Sequence, residues 1–196
     1  MTTPAGEAFA PAQVGEADIP DWVALIESAY RGDASRAGWT TEADLLDGQR
    51  LDPQLAAETL AEPGTVVFLV RSPDGTPLAT VQLVERDDAC AYLGMFAVAP
   101  AAQGTGTGSK LMAWAEAWVQ ENWDAARIRM SVIRQRTELI AYYERRGYAN
   151  TGEVERSTRV ESFYRITLVR GQVWTSLSCS AISMCALILE PQGPGG

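Results

Sequence analysis

Residues 98–111 read VAPAAQGTGTGSKL, and this stretch decides the expected fold. It begins as the end of an apolar strand, passes through a glycine-rich loop at residues 103–108, and opens a helix that runs to about Asn122. Glycines let consecutive backbone N–H groups converge, and the N-terminus of a helix adds partial positive charge. The stretch therefore predicts a site for a diphosphate at the start of a helix.

Three other kinds of loop are also rich in glycine. A dinucleotide-binding fold places G-x-G-x-x-G in an early strand–helix–strand unit, whereas this loop follows antiparallel strands in mid-chain. A P-loop requires G-x-x-x-x-G-K-[ST], but Gly104 lacks that spacing and Lys110 is followed by Leu111. A turn with a purely structural role stays open for the loop taken alone.

The segments around the loop predict a mixed α/β (α+β) chain. Apolar residues at helical spacing after Asp18 predict a first helix that stops at Gly32, and Asp52-Pro53 predicts the start of a second helix. One helical turn is expected after Thr41, within the connection between these helices. Strands are expected at 65–71, 78–86, 89–98 and 128–132, and a last helix at 136–146.

The composition divides the chain into three parts. Residues 1–15 predict a flexible lead-in, residues 16–170 the folded domain, and residues 171–196 a divergent apolar tail. Within that tail, residues 172–189 carry no charged side chain, and four of them are serines. One or two strands, among them the last strand of the sheet, are favoured there over a membrane-spanning segment.

The overall composition excludes several classes of site. The chain has 196 residues, a formal net charge of −9 and no histidine, so it cannot form a Ser-His-Asp triad, a Cys-His pair or a histidine-bearing metal site. Its three cysteines lack C-x-x-C spacing, so no metal is expected. The acidic balance disfavours nucleic acid and anionic membranes as partners. With no signal-peptide pattern at the N-terminus, a cytoplasmic location is expected.

Residues 141–148 read AYYERRGY and form a second motif, at the end of the last expected helix. They resemble the A-x-Y-E-x-x-G-F/Y motif of the GNAT superfamily of N-acetyltransferases, and residues 103–108 are similar to its Q/R-x-x-G-x-G/A signature. The two motifs occur in the family's order with a strand between them, and the resemblance covers residues 16–155. It implies the GNAT fold, with a central, mostly antiparallel sheet that is splayed between its fourth and fifth strands and flanked by helices.

The resemblance also implies an activity, namely transfer of an acetyl group from acetyl-CoA to a primary amine of a small molecule or peptide by direct attack. Acetyl-CoA would be a cosubstrate and no metal would be needed. Two alternatives stay open: an acyltransferase that uses another acyl-CoA, and a catalytically silent CoA-binding module. Peptide N-termini, protein lysines, polyamines and aminoglycosides are all open as acceptors, and a homodimer is also left open.

The residues that would bind acetyl-CoA follow from the same resemblance. Main-chain groups at the end of the third meander strand would contact the pantetheine arm, and backbone N–H groups of the loop would hold the diphosphate. Arg136 departs from the family pattern, which has Asn seven residues before the tyrosine of the second motif. The cofactor-binding residues are thus Phe96, Ala97, Val98, Gln103, Gly104, Thr105, Gly106, Thr107, Gly108 and Ser109.

Tyr143 is the expected catalytic residue, because many family members carry a tyrosine there near the thioester sulfur. A phenol can protonate the departing thiolate, while a strand N–H near Phe96 stabilises the oxyanion. Packing is the alternative role for Tyr143, since Leu139 lies four residues earlier on the same helix face.

The acceptor side is less well defined by the sequence. Tyr30, Trp39 and Glu42 are expected to contact the substrate, although a core role is equally open for the two aromatic residues. The attacking amine must lose a proton, and candidate general bases are Glu42, Asp44, Glu85 and Asp87. Each of these carboxylates is also compatible with a solvated charge.

Overall fold

Seven strands form one mixed sheet in the computed structural model, which describes residues 9–30, 50–87, 89–156 and 164–171. The order across the sheet is β1-β2-β3-β4-β5-β7-β6, and every neighbouring pair is antiparallel except β4 and β5. This arrangement confirms the expected mixed α/β class. The strands are β1 Ala12–Gln13, β2 Thr65–Arg71, β3 Pro77–Arg86, β4 Cys90–Val98, β5 Arg127–Ile133, β6 Ala149–Arg156 and β7 Tyr164–Gly171.

Four α-helices of the described residues cover the sheet: α1 Ile19–Tyr30, α2 Pro53–Ala61, α3 Thr107–Trp123 and α4 Thr137–Glu144. Asp52 is the N-cap of α2, as the sequence predicts, and its carboxylate accepts a hydrogen bond from the N–H of Leu55 at 2.8 Å. Proline follows at the first helical position, where no N–H is needed. The expected stop of α1 at Gly32 and the turn after Thr41 lie outside the described residues.

The apolar run in β2 is explained by burial on both faces of the sheet. Val67 and Leu69 pack in one cluster with α1 and α2, whereas Phe68 and Val70 pack in the other with α3 and α4. Successive strand side chains point to opposite faces, so a strand between two helical layers is apolar throughout. On the α3 side, the ring of Phe68 meets that of Trp114 edge to face, with 4.7 Å between the centroids.

The two strands at the centre of the sheet pair over only a short length. β4 and β5 run parallel and are paired at Cys90–Arg127, Ala91–Ile128 and Tyr92–Arg129. Beyond these three pairs, β4 continues to Val98 and β5 to Ile133 without pairing to each other. The expected splay between the fourth and fifth strands is therefore confirmed.

A β-bulge lies where β4 leaves β5. Gln82 of β3 faces Gly94 and Thr80 faces Ala97, so three steps along β4 match two along β3. Met95, within the bulge, has φ +41°, which is uncommon for a residue with a side chain. A bulge bends the strand that carries it, and this one lies directly beyond the last residue paired with β5.

The far edge of the sheet is formed by β7 and β6. β5 pairs with β7 along its whole length, from Arg127–Gly171 to Ile133–Arg165. A strand pair, β6 and β7, therefore follows Tyr148. Residues 172–196 lie outside the described residues, so an additional strand in the tail stays a prediction. Every helix within the described ranges falls short of the length and apolarity that a membrane span requires.

Replacing Asp52 tests whether its N-cap hydrogen bond stabilises α2. Asp52→Ala is expected to lower the free energy of unfolding by about 1 kcal/mol, because the N–H of Leu55 loses its acceptor. Chemical denaturation measures the change. Gln54→Ala is the control, since it removes only the exposed hydrogen bond to Glu58 and is expected to change stability by less than about 0.5 kcal/mol. Equal losses in the two variants would contradict the capping role.

Candidate active site

A cleft opens between the separated ends of β4 and β5. The space between its walls is about 680 Å³, a volume that includes solvent at the open side. Its walls come from the end of α1, the segment just before α2, both separated strands, the first and last turns of α4, and the start of β7. The lining residues are Tyr30, Arg50, Tyr92, Leu93, Gly94, Met95, Phe96, Met130, Ser131, Val132, Ile133, Arg136, Leu139, Tyr143 and Arg165.

The bulge of β4 is fixed from the α1 side. The hydroxyl of Tyr30 donates a hydrogen bond to the carbonyl oxygen of Phe96 at 2.7 Å. This bond holds the end of α1 against the unpaired part of β4. Tyr30, expected on the acceptor side, thus lines the cleft together with Phe96. Ala97 and Val98 have buried side chains and are not among the lining residues.

The glycine loop presents a row of backbone donors. Among the described residues, no acceptor is hydrogen-bonded to the N–H groups of residues 104–109; the first helical bond of α3 runs from Lys110 N to Gly106 O at 3.0 Å. Gly104 and Gly106 have φ +78° and +87°, and a Cβ added at either would meet no atom within 4 Å. The loop therefore offers open space, free donors and the positive end of a helix dipole, which together suit a diphosphate.

Side chains of the loop hold it in place. Gln103, expected to contact the cofactor, donates from Nε2 to the carbonyl oxygen of Val98 at 3.0 Å and so ties the loop to the end of β4. Thr105 donates to the carbonyl oxygen of Ala102 at 2.7 Å, and its hydroxyl lies 2.9 Å from that of Thr107. The Ser109 hydroxyl accepts a hydrogen bond from the guanidinium of Arg146.

Phe96 connects the loop with the cleft. A Cβ added at Gly108 would lie 3.1 Å from a methyl group of Val98 and 3.8 Å from the ring of Phe96. A side chain at position 108 would press on Val98, and glycine lets α3 lie this close to β4 without that contact. Since Phe96 also lines the cleft, a ligand with a diphosphate on the loop could extend past this residue and place its other end between β4 and β5.

Tyr143 lies at the inner wall of the cleft. The residue is only 5% exposed, and its ring meets those of Tyr142 and Tyr148 edge to face. Among the described residues, no group is hydrogen-bonded to its hydroxyl. Burial, and next the neighbouring phenol of Tyr30, raise the pKa of Tyr143 well above its usual range. The phenol therefore keeps its proton at neutral pH and can act as a donor toward the cleft, while its ring also packs in the core.

Three arginines line the cleft, and the sequence did not indicate their role. They are Arg50, Arg136 and Arg165, which come from three different parts of the chain. Arg136 was expected only as a departure from a family pattern. Arg50 and Arg165 do not belong to a recognisable sequence motif. They reach the cleft because strands and helices that are distant in sequence pack together.

The carboxylates considered as general bases do not meet in the described part of the cleft. Glu85 is an exposed residue of β3 opposite Ala91, and Asp87 is exposed in the following turn. Neither lines the cleft. Trp39, Glu42 and Asp44 lie outside the described residues.

Comparison with known proteins gives a family and a fold. A profile of the acetyltransferase (GNAT) family matches residues 23–148. No curated protein matches the sequence significantly. Mutant forms of the spermidine/spermine N-acetyltransferase SpeG from Vibrio cholerae share 14% identity, with 84% of this chain and 95% of that chain covered and a TM-score of 0.63. An acetyltransferase of the GNAT family from Staphylococcus aureus shares 13% identity, with 84% and 99% covered and a TM-score of 0.63.

Proposed function

Because this chain belongs to the acetyltransferase (GNAT) family, we propose that it transfers an acetyl group from acetyl-CoA to a primary amine of a small molecule or peptide. One observation carries this proposal. The row of unbonded N–H groups at residues 104–109 is continuous, past Phe96, with the cleft between β4 and β5. A diphosphate at one end of a pantetheine arm and a thioester at the other suit these two places.

The diphosphate, pantetheine arm and thioester of acetyl-CoA would each lie against a different part of the protein. The loop amides and the N-terminus of α3 would bind the diphosphate, with Gln103 and Ser109 positioning the loop. Beyond Tyr92, the edge of β4 that faces the cleft pairs with no strand of the described residues, so its main-chain groups could receive the amides of the pantetheine arm. The thioester would then lie beside Tyr143.

For direct transfer, the protein must admit a neutral amine, stabilise an oxyanion and supply a proton to the leaving thiolate. The cleft must admit the amine in its neutral form, because only a nitrogen lone pair can attack the carbonyl carbon. A main-chain N–H of the β4 bulge stabilises the oxyanion that forms when the C–N bond is made. As the C–S bond breaks, the Tyr143 hydroxyl donates its proton to the thiolate. The new C–N nitrogen loses its extra proton to water, and water returns a proton to the tyrosinate, so protons balance over the cycle.

Turnover of acetyl-CoA with a panel of amines tests this function. The panel contains an N-terminal peptide, a lysine peptide, an aminoglycoside and spermidine, and release of the CoA thiol is measured. We expect release that depends on the presence of an acceptor. Faster release from a longer acyl-CoA would favour another acyltransferase activity. Tight binding of acetyl-CoA without turnover of any acceptor would indicate a silent CoA-binding module.

A charge placed on the loop tests how the diphosphate is held. Gly106→Asp is expected to weaken acetyl-CoA binding about 10- to 100-fold, because two negative charges near 4 Å repel by about 1 to 4 kcal/mol. Calorimetry measures the affinity.

Two variants isolate the effect of that charge. Gly106→Asn has the same shape without the charge, and asparagine tolerates positive φ as aspartate does. Gly75→Asp adds the same charge at φ +88° in the distant β2–β3 turn, where a Cβ is equally unhindered. An unchanged affinity in a folded Gly106→Asp protein would remove the loop from the site.

Removal of one hydroxyl tests the proposed acid. Tyr143→Phe keeps the ring and its packing, so we expect turnover to fall about 10- to 100-fold while acetyl-CoA affinity changes little. The control is Tyr142→Phe, because Tyr142 is the neighbouring residue and does not line the cleft. This variant should keep the turnover of the unmodified protein. Equal and small effects of the two substitutions would make Tyr143 a packing residue and leave water to protonate the thiolate.

A further inference from the structure

A buried hydrogen bond joins Tyr148 to α3. Tyr148 lies in the connection between α4 and β6 and is only 3% exposed. Its hydroxyl donates to Oε1 of Glu116 at 3.0 Å and lies 3.6 Å from the sulfur of Met112. The other carboxylate oxygen of Glu116 accepts a hydrogen bond from the guanidinium of Arg170 in β7. One carboxylate of α3 therefore ties the end of the second motif to β7.

This bond is a directed contact rather than simple packing. Burial, and next the carboxylate of Glu116, raise the pKa of Tyr148 well above its usual range, so its phenol stays protonated and remains a donor. A hydrogen bond to a carboxylate is shorter and stronger than one between neutral groups. It therefore fixes the far end of the Tyr148 ring, which apolar contacts alone would leave freer to tilt.

Tyr143 packs directly against this fixed ring. The centroids of the Tyr143 and Tyr148 rings are 5.8 Å apart, and their planes meet at 65°. The main chains are joined as well, because the N–H of Tyr148 donates to the carbonyl oxygen of Tyr143 at 3.2 Å. The N–H of Arg146 donates to the same oxygen at 2.9 Å. The position of Tyr143 thus follows that of Tyr148 through both ring and backbone.

Tyr143 depends on such support because its hydroxyl has no hydrogen-bond partner among the described residues. The direction of this hydroxyl is set by the packing of its ring, and edge-to-face contacts favour particular angles between rings. A general acid must lie within hydrogen-bonding distance of the atom that it protonates. A small shift of the Tyr148 ring would therefore be passed to Tyr143 and lower turnover.

We propose that the hydrogen bond between Tyr148 and Glu116 positions Tyr143 for proton donation to the departing thiolate. Tyr148, Glu116 and Arg170 do not line the cleft, so they do not touch a substrate bound there. Tyr148 and Glu116 are positioning residues that act through the ring of Tyr143, and Arg170 holds the carboxylate. The inference rests on the proposed acetyl transfer and on the acid role proposed for Tyr143.

Removal of the Tyr148 hydroxyl tests the inference. Tyr148→Phe keeps the ring but loses the bond to Glu116, so we expect kcat to fall about 3- to 10-fold with little change in acetyl-CoA affinity. Glu116→Ala should give a similar loss, whereas Glu116→Gln keeps an oxygen acceptor and should retain most of the turnover. The control is Tyr164→Phe, which removes an exposed phenol that does not line the cleft and should keep full turnover.

A double variant separates positioning from a general effect on the structure. Tyr143→Phe has no hydroxyl left to position, so adding Tyr148→Phe to it should lower turnover further by less than about twofold. A purely structural role of Tyr148 would disturb the cleft with or without that hydroxyl, and the two losses would then multiply. Multiplied losses, or unchanged turnover in a folded Tyr148→Phe protein, would overturn the inference.

Amide hydrogen exchange gives a readout that does not need turnover. The N–H groups of Arg146 and Tyr148, both bonded to the carbonyl oxygen of Tyr143, should exchange at least about tenfold faster in Tyr148→Phe. Unchanged exchange would contradict the positioning. Faster exchange in a protein that acetylates no amine would support the hold of Tyr148 on Tyr143 and contradict the proposed function. A small effect of Tyr143→Phe in an active protein would contradict this inference and leave acetyl transfer intact.

Discussion

The structure depends on the short parallel contact between β4 and β5, which pair through only three residues of each strand. Had the contact continued, the backbone groups beyond Tyr92 and Arg129 would be bonded to each other and no cleft would exist. The opening is tolerated because each strand keeps another neighbour. β4 stays paired with β3, and β5 stays paired with β7 along its full length. Each strand thus exposes one edge to the cleft without becoming detached from the sheet.

Two further features are arranged around that opening. The bulge at Met95 bends β4 where its pairing with β5 ends, and the Tyr30 hydroxyl fixes the bulge through Phe96. On the other side of Phe96, Gly108 lets the start of α3 approach β4 closely enough to bring the loop amides beside the cleft. A bulky residue at position 108 would push the start of α3, and the loop amides with it, away from Phe96 and the cleft.

The sequence predicted those features that depend on local residues. The glycine loop, the Asp52 cap and the meander follow from turn, cap and alternation patterns, and the splay followed from the family resemblance. The bulge did not, since Met95 carries no glycine or proline signal for its positive φ. The arginines of the cleft were missed for a different reason: Arg50 and Arg165 come together only when β7 pairs beside β5. β6 was not predicted from its residues, because its sequence, ANTGEVER, is polar and shows no apolar alternation at the edge of the sheet.

Amide hydrogen exchange, measured with and without acetyl-CoA, tests most directly whether the opening between β4 and β5 is the acyl-CoA site. The N–H groups of residues 104–109 have no acceptor among the described residues, so they should exchange rapidly in the free protein. Acetyl-CoA should slow their exchange at least about tenfold, and that of residues 93–96 as well, while the β2–β3 turn at residues 72–76 should not change. Binding of acetyl-CoA with unchanged exchange at both the loop and β4 would contradict the account.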